Sequence, residues 1–208
     1  MPTHTVKQGD HISSIAKQFG FRDFMTVWND AGNADLRKLR PNPNVLFPGD
    51  QVFIPDFKLR SEARPTGATH TFVLDARPLE IRIVTHDIND DPVPNSAYKL
   101  EVEAAVFKDK TDGDGLAKKT IAADAVNGLF QIIQMEIPVK IGFLDPADQP
   151  SGSRARLTNL GYYWGPQDDS DPLALQSAIE EFQCDQTLKV TGKMDQATQD
   201  RLKSVHGC

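Results

Sequence analysis

Two cysteines in 208 residues, Cys184 and Cys208, exclude a disulfide framework and make a reducing compartment the easier home. Positive charge is also in short supply: 23 Lys and Arg stand against 29 Asp and Glu, leaving a net charge of −6. A surface that tracks phosphates wants the opposite sign, so no nucleic-acid partner is expected. No apolar run approaches the roughly 20 residues of a membrane helix, and no membrane partner is expected. The opening stretch Met1-Pro2-Thr3-His4-Thr5-Val6-Lys7-Gln8 lacks the apolar core of a Sec signal, so the chain is expected to be cytoplasmic as synthesised. The five histidines include no pair at zinc-ligand spacing, and no H-E-x-x-H occurs. His70 and His86 therefore read as surface or satisfied residues, and neither metal nor cofactor is expected. What is present is an ordinary apolar fraction, 39%, enough for globular cores.

Two stretches rich in turn formers divide the chain. Lys58 to Gly67 and Asp145 to Ser153 are polar and carry Pro, Gly, Ser and Asp, as linkers do. The implied units span residues 1–56, 68–145 and 154–208.

The first unit is short and well patterned. Thr5-Val6 reads as a brief strand, and Gly9-Asp10 as a turn. Ile12, Ile15, Ala16 and Phe19 form one stripe of an amphipathic helix. Asp10 is placed to cap that helix and Gly20 to end it. A second helix is expected over Phe24 to Asp30, with Trp28 on its core side. After a Pro/Asn-rich loop, Gln51-Val52-Phe53-Ile54-Pro55 reads as a strand. The segments Thr5-Val6-Lys7-Gln8-Gly9-Asp10, Ile12-Ser13-Ser14-Ile15-Ala16 and Pro48-Gly49-Asp50-Gln51-Val52-Phe53-Ile54-Pro55 together resemble a LysM module. That resemblance implies a groove for N-acetylglucosamine glycans, between the loop before the first helix and the loop before the second strand. The matching positions are Gly9, Asp10, His11, Ile12, Leu46, Phe47 and Pro48. Neutral sugars call for backbone polar groups over an apolar floor more than for charge. The chain departs from the family at His11, where Thr is usual, and in the long insert Ala31 to Phe47.

The last unit reads as helical. Arg156 to Tyr162 suggests a short helix stopped by Gly161. Ala174, Leu175, Ala178, Ile179 and Phe182 keep a helical period behind Asp171 and Pro172, a plausible cap and first turn. Asp195 can cap a third helix carrying Thr198, Leu202 and Val205. Leu157, Leu160-Gly161-Tyr162, Ala178-Ile179, Phe182-Gln183 and Leu188 to Gly192 resemble the peptidoglycan-binding three-helix domain appended to cell-wall hydrolases.

The middle unit is β-rich. Leu79 to Val84 alternates apolar and polar residues. Tyr98 to Val106, Leu129 to Ile133 and Val139 to Leu144 add strands joined by Asp- and Gly-rich turns. An antiparallel β-sandwich spacer is expected. The fold class is thus α+β and multidomain: a βααβ LysM module, a central sandwich and a C-terminal three-helix bundle.

Catalytic constellations fail one by one. An EF-hand register through Asp112, Asp114 and Gly115 would put Lys110 at the first ligand and Ile121 at the last, so turn chemistry explains these residues. Ser204-Val205-His206-Gly207-Cys208 resembles the thiolate core of L,D-transpeptidases, but Val205 interrupts it. Cys184 reads as a small buried hydrophobe, and Glu180 and Glu181 as a solvated face. The chain is expected not to be an enzyme.

The expected function is non-catalytic binding of peptidoglycan glycan strands. Leu36 to Asp50 and the overall layout resemble LysM and peptidoglycan-binding proteins of type VI secretion and contractile injection systems. That resemblance implies delivery to the periplasm without Sec, with a secretion-system spike or effector as protein partner. The alternative is a protein–protein adaptor or structural accessory of such an apparatus that does not bind glycan.

Overall fold

The computed structural model describes residues 2–58, 61–72, 77–168 and 170–207. It is a mixed α and β structure with several antiparallel sheets and, among the described residues, six α-helices.

In the N-terminal unit, strands β1 (Thr3–Thr5) and β2 (Gln51–Phe53) pair antiparallel, with His4 opposite Val52. Between them run α1 (Ile12–Gln18), α2 (Phe24–Trp28), a 3-10 turn (Ala31–Asn33) and α3 (Ala34–Leu39). Ile12, Ile15, Val27, Trp28, Leu46 and Val52 close one core. The stripe on α1 lies in that core as its spacing demands, and Gly20, at φ +82°, turns the chain just past the helix.

Two local expectations change here. The N-cap of α1 is His11, not Asp10: the Ser14 hydroxyl accepts the His11 N–H at 3.1 Å and donates back to its carbonyl at 2.8 Å. Asp10 instead closes the preceding turn. The insert is also no simple loop, because α3 forms within it and Leu36 joins the core. Asn33 anchors that insert. Its amide donates to the carbonyls of Val27 and Phe53 and accepts the Phe53 N–H, all at 2.8 Å.

The middle unit has two antiparallel sheets. Strands β3 (Leu79–Val84) and β6 (Leu116–Ile121) form one. Strands β4 (Ala97–Val102), β5 (Ala105–Lys110), β7 (Asn127–Ile132) and β8 (Met135–Lys140) form the other, in the order β5-β4-β7-β8. Leu79, Ala117 and Ile121 from the first share a core with Tyr98, Leu100, Phe130 and Ile132 from the second. The stretch Tyr98 to Val106 is not one strand, because a tight hairpin follows Val102, with Glu103 at φ +51°. The Glu103 carboxylate accepts the N–H groups of Val126 and Asn127, at 3.0 and 2.9 Å. Strand β6 escaped the sequence reading because Lys118, Lys119 and Thr120 mask its alternation. Asp112 caps the turn before it, accepting the N–H groups of Asp114 and Leu116 at 2.9 Å.

The C-terminal unit contains α4 (Pro150–Asn159), α5 (Pro172–Asp185) and α6 (Gln196–His206) around Leu157, Tyr163, Phe182 and Leu202. Asp171 and Asp195 cap α5 and α6 through the N–H groups of Ala174 and Thr198. Helix α4 begins inside the stretch that composition marks as a linker. Polar groups fix it there: Ser151 donates to Asp145, Ser153 to the Ala147 carbonyl, and the buried Arg156, further along α4, to the carbonyls of Asp145 and Gly152. Cys184 is exposed rather than buried, because it lies off the Ile179/Phe182 stripe of α5. Cys208 lies outside the described residues.

Candidate functional site

Two loops build the candidate face. In the first, Gly9 takes φ +93°, and the Asp10 carboxylate accepts the Lys7 N–H at 2.9 Å and meets His4 Nε2 at 2.8 Å. In the second, Arg40 and Asp50 form a buried two-pronged pair at 2.9 and 3.3 Å, their side chains 8% and 7% exposed. Asp50 also accepts the Phe47 N–H at 2.9 Å, and the Arg40 guanidinium lies 5.7 Å from the centre of the Phe47 ring. Such a pair is rigid because each partner left alone would be a buried, uncompensated charge. The loops meet where the Ile12 N–H reaches the Pro43 carbonyl at 3.4 Å and Ile12 and Leu46 enter one core.

The candidate residues therefore come together, but they do not present one open surface. Ile12 and Leu46 are core side chains, and His11 is buried with them. Gly9, Asp10 and Phe47 are half-buried, and Pro48 is exposed.

The middle unit covers the first loop. The Phe143 ring rests on Gly9, where an added Cβ would lie 3.2 Å from it, and the Gln8 amide donates to the Phe143 carbonyl at 3.3 Å. Gly142 fits only because it has no side chain. A Cβ there would come within 2.4 Å of the Gly9 carbonyl oxygen and 3.1 Å of the His11 ring. Ion pairs flank the contact: Lys17 with Asp124 at 2.7 Å, and Arg40 with Asp148 at 3.8 Å. Among the described residues, neither His11 ring nitrogen has a well-formed hydrogen bond. Burial holds its pKa below the ordinary value, against weaker pulls from the Ala125 backbone and from Asp10 and Asp124.

A cavity of about 390 Å³ opens elsewhere at this junction, between Lys17, Phe21, Arg22 and Phe24 on one side and Arg77 and Ala123 on the other. The candidate loops do not line it.

One further residue stands out in the C-terminal unit. Trp164 is 87% exposed on a loop held from within. The buried Tyr163 donates its hydroxyl to the Pro166 carbonyl at 2.7 Å, Gly165 sits against the Tyr163 ring, and Arg154 donates to the Gln167 carbonyl. Sequence reasoning passed over it, although Tyr162-Tyr163-Trp164 ahead of Gly165-Pro166 puts an aromatic run in a turn rather than on a helical stripe.

Comparison with known proteins agrees with this layout at both ends. No curated protein and no solved structure matches the chain. Residues 4–55 match the LysM domain, and residues 153–202 match a peptidoglycan binding domain. The chain thus carries a LysM domain and a peptidoglycan binding domain, which together support a role in cell-wall binding.

Proposed function

We propose that this is a non-catalytic peptidoglycan-binding protein whose two end domains hold glycan strands and whose middle unit, a sandwich, spaces them. The observation that carries the reading is the presence of two different wall-binding domains on one chain. In the C-terminal unit, a three-helix bundle, Trp164 is the sugar contact: its indole offers a flat apolar face, and its loop is already ordered. Purified sacculi should carry the full chain into the pellet, while cellulose should not. A chain that stays in the supernatant with sacculi refutes the reading.

A second reading has its own support. The first LysM loop is packed against protein in this chain, and α3 forms within the insert that leads to the second. Both features suit an adaptor or structural accessory of a type VI secretion or contractile injection apparatus, reaching the periplasm by a non-Sec route. Stoichiometric co-purification with a spike or baseplate protein, without sacculus binding, would favour it.

A further inference from the structure

The LysM loop face already has an occupant, and that occupant belongs to the same chain. The strand β8 ends at Lys140, and the following residues cross directly over Gly9. Phe143 covers the Gly9 backbone with an aromatic ring and receives the Gln8 amide on its carbonyl. Gly142 approaches the Gly9 carbonyl too closely for any other residue at that position. Asp148 reaches Arg40, the residue that stacks on Phe47 and holds the second loop. The segment lays an apolar ring on the Gly9 backbone and offers a carbonyl oxygen to the Gln8 amide, as the apolar face of a sugar and the carbonyl of its N-acetyl group would, while the Asp148–Arg40 ion pair adds a tether that a neutral sugar lacks.

We infer that the segment Gly142–Asp148 is a built-in competitor for the LysM loop face, so that N-acetylglucosamine glycan binds there only when this segment is displaced. The inference rests on reading the LysM domain as a glycan binder. Its consequence is quantitative: apparent affinity at the face is the intrinsic affinity reduced by the fraction of molecules that are open. The segment is also tied on its other side, since Arg156 holds the Asp145 carbonyl and Ser153 the Ala147 carbonyl. Opening therefore means lifting Gly142 and Phe143 away while the junction with α4 stays in place.

Two variants of the full chain open the face in different ways. Phe143→Ala with Asp148→Ala removes the grip, and Gly142→Ala pushes the segment off by steric conflict. Amide exchange across residues 8–12 reports opening, and calorimetric titration with the N-acetylglucosamine hexamer reports binding. Faster exchange in the variants together with hexamer affinity raised about tenfold or more is the result expected. Equal affinity in the parent chain and an opened variant overturns the inference and leaves the glycan reading standing. No hexamer binding by an opened variant that still sediments with sacculi overturns the inference as well, and with it the LysM half of the proposed function. Unchanged exchange in both variants overturns it too, because the segment would then not be what covers the face.

Discussion

At the scale of single residues, buried amides organise the loops. Gln183 is fully buried on α5. Its oxygen accepts the N–H groups of Thr191 and Gly192 at 2.7 and 3.0 Å, and its nitrogen donates to the Lys193 carbonyl and the Thr198 hydroxyl at 2.9 and 2.8 Å. One side chain thus substitutes for water on the turn between α5 and α6. Gln183→Leu keeps the volume but strands those groups, and the C-terminal unit should lose about 2–4 kcal/mol. Urea unfolding followed by the methyl NMR signals of the buried Leu157 and Leu202 measures this; a loss near zero refutes the assigned role. Neither Gln183 nor Asn33 could be recognised as a hub from sequence, because a polar residue carries no record of which distant backbone groups it will meet. Gly20, Asp171 and Asp195 could be read, since caps act on their immediate neighbours.

At the scale of elements, periodicity identified α1, α2 and α5, whose apolar stripes face single cores, and it located β3. It missed α3, which is too short to show a period and is anchored through Asn33, and the first turns of α4, which are polar and depend on Arg156 and the serines around Asp145. Helix α6 carries an electrostatic consequence. The Asn159 amide of α4 donates to His206 Nε2 at 3.0 Å, a bond that only the neutral imidazole accepts. Burial, reinforced by the Arg156 charge, pushes the His206 pKa down to about 4. In the unfolded chain a histidine titrates near pH 6.5, so between these values the unfolded state takes up the proton first. The stabilisation is full above about pH 6.5 and is lost as the pH falls towards 4. Discounted for a partly exposed ring, the change is about 1–2 kcal/mol. Urea midpoints of the same Leu157 and Leu202 methyl signals at pH 7 and pH 4.5 should show this slope, and His206→Gln should flatten it; a slope that survives the substitution assigns the acid sensitivity elsewhere.

At the scale of the whole molecule, nothing in the sequence shows how its parts meet. The contact of Phe143 with Gly9 joins segments far apart in the chain, and nothing periodic marks either partner. On the proposed reading, the packing leaves one binding face presented and another covered. Trp164 projects from a loop held by internal hydrogen bonds, whereas the first LysM loop lies under the Gly142–Asp148 segment, which also reaches Arg40 beside the second. Two sites on one chain gain through effective concentration only when both can engage the same glycan mesh. In the parent chain, wall binding should therefore depend on the C-terminal unit, and Trp164→Ala should weaken sacculus affinity about tenfold, as loss of an aromatic anchor does. Opening the LysM face with Phe143→Ala and Asp148→Ala should strengthen sedimentation beyond that of the parent. Combined with Trp164→Ala, the opened chain should still bind, through the LysM face alone. The effects of opening and of Trp164 loss should then fail to add, because each decides whether the other site acts alone or as one of a pair. Strict additivity in a sedimentation titration would mean that the two domains never hold the wall together.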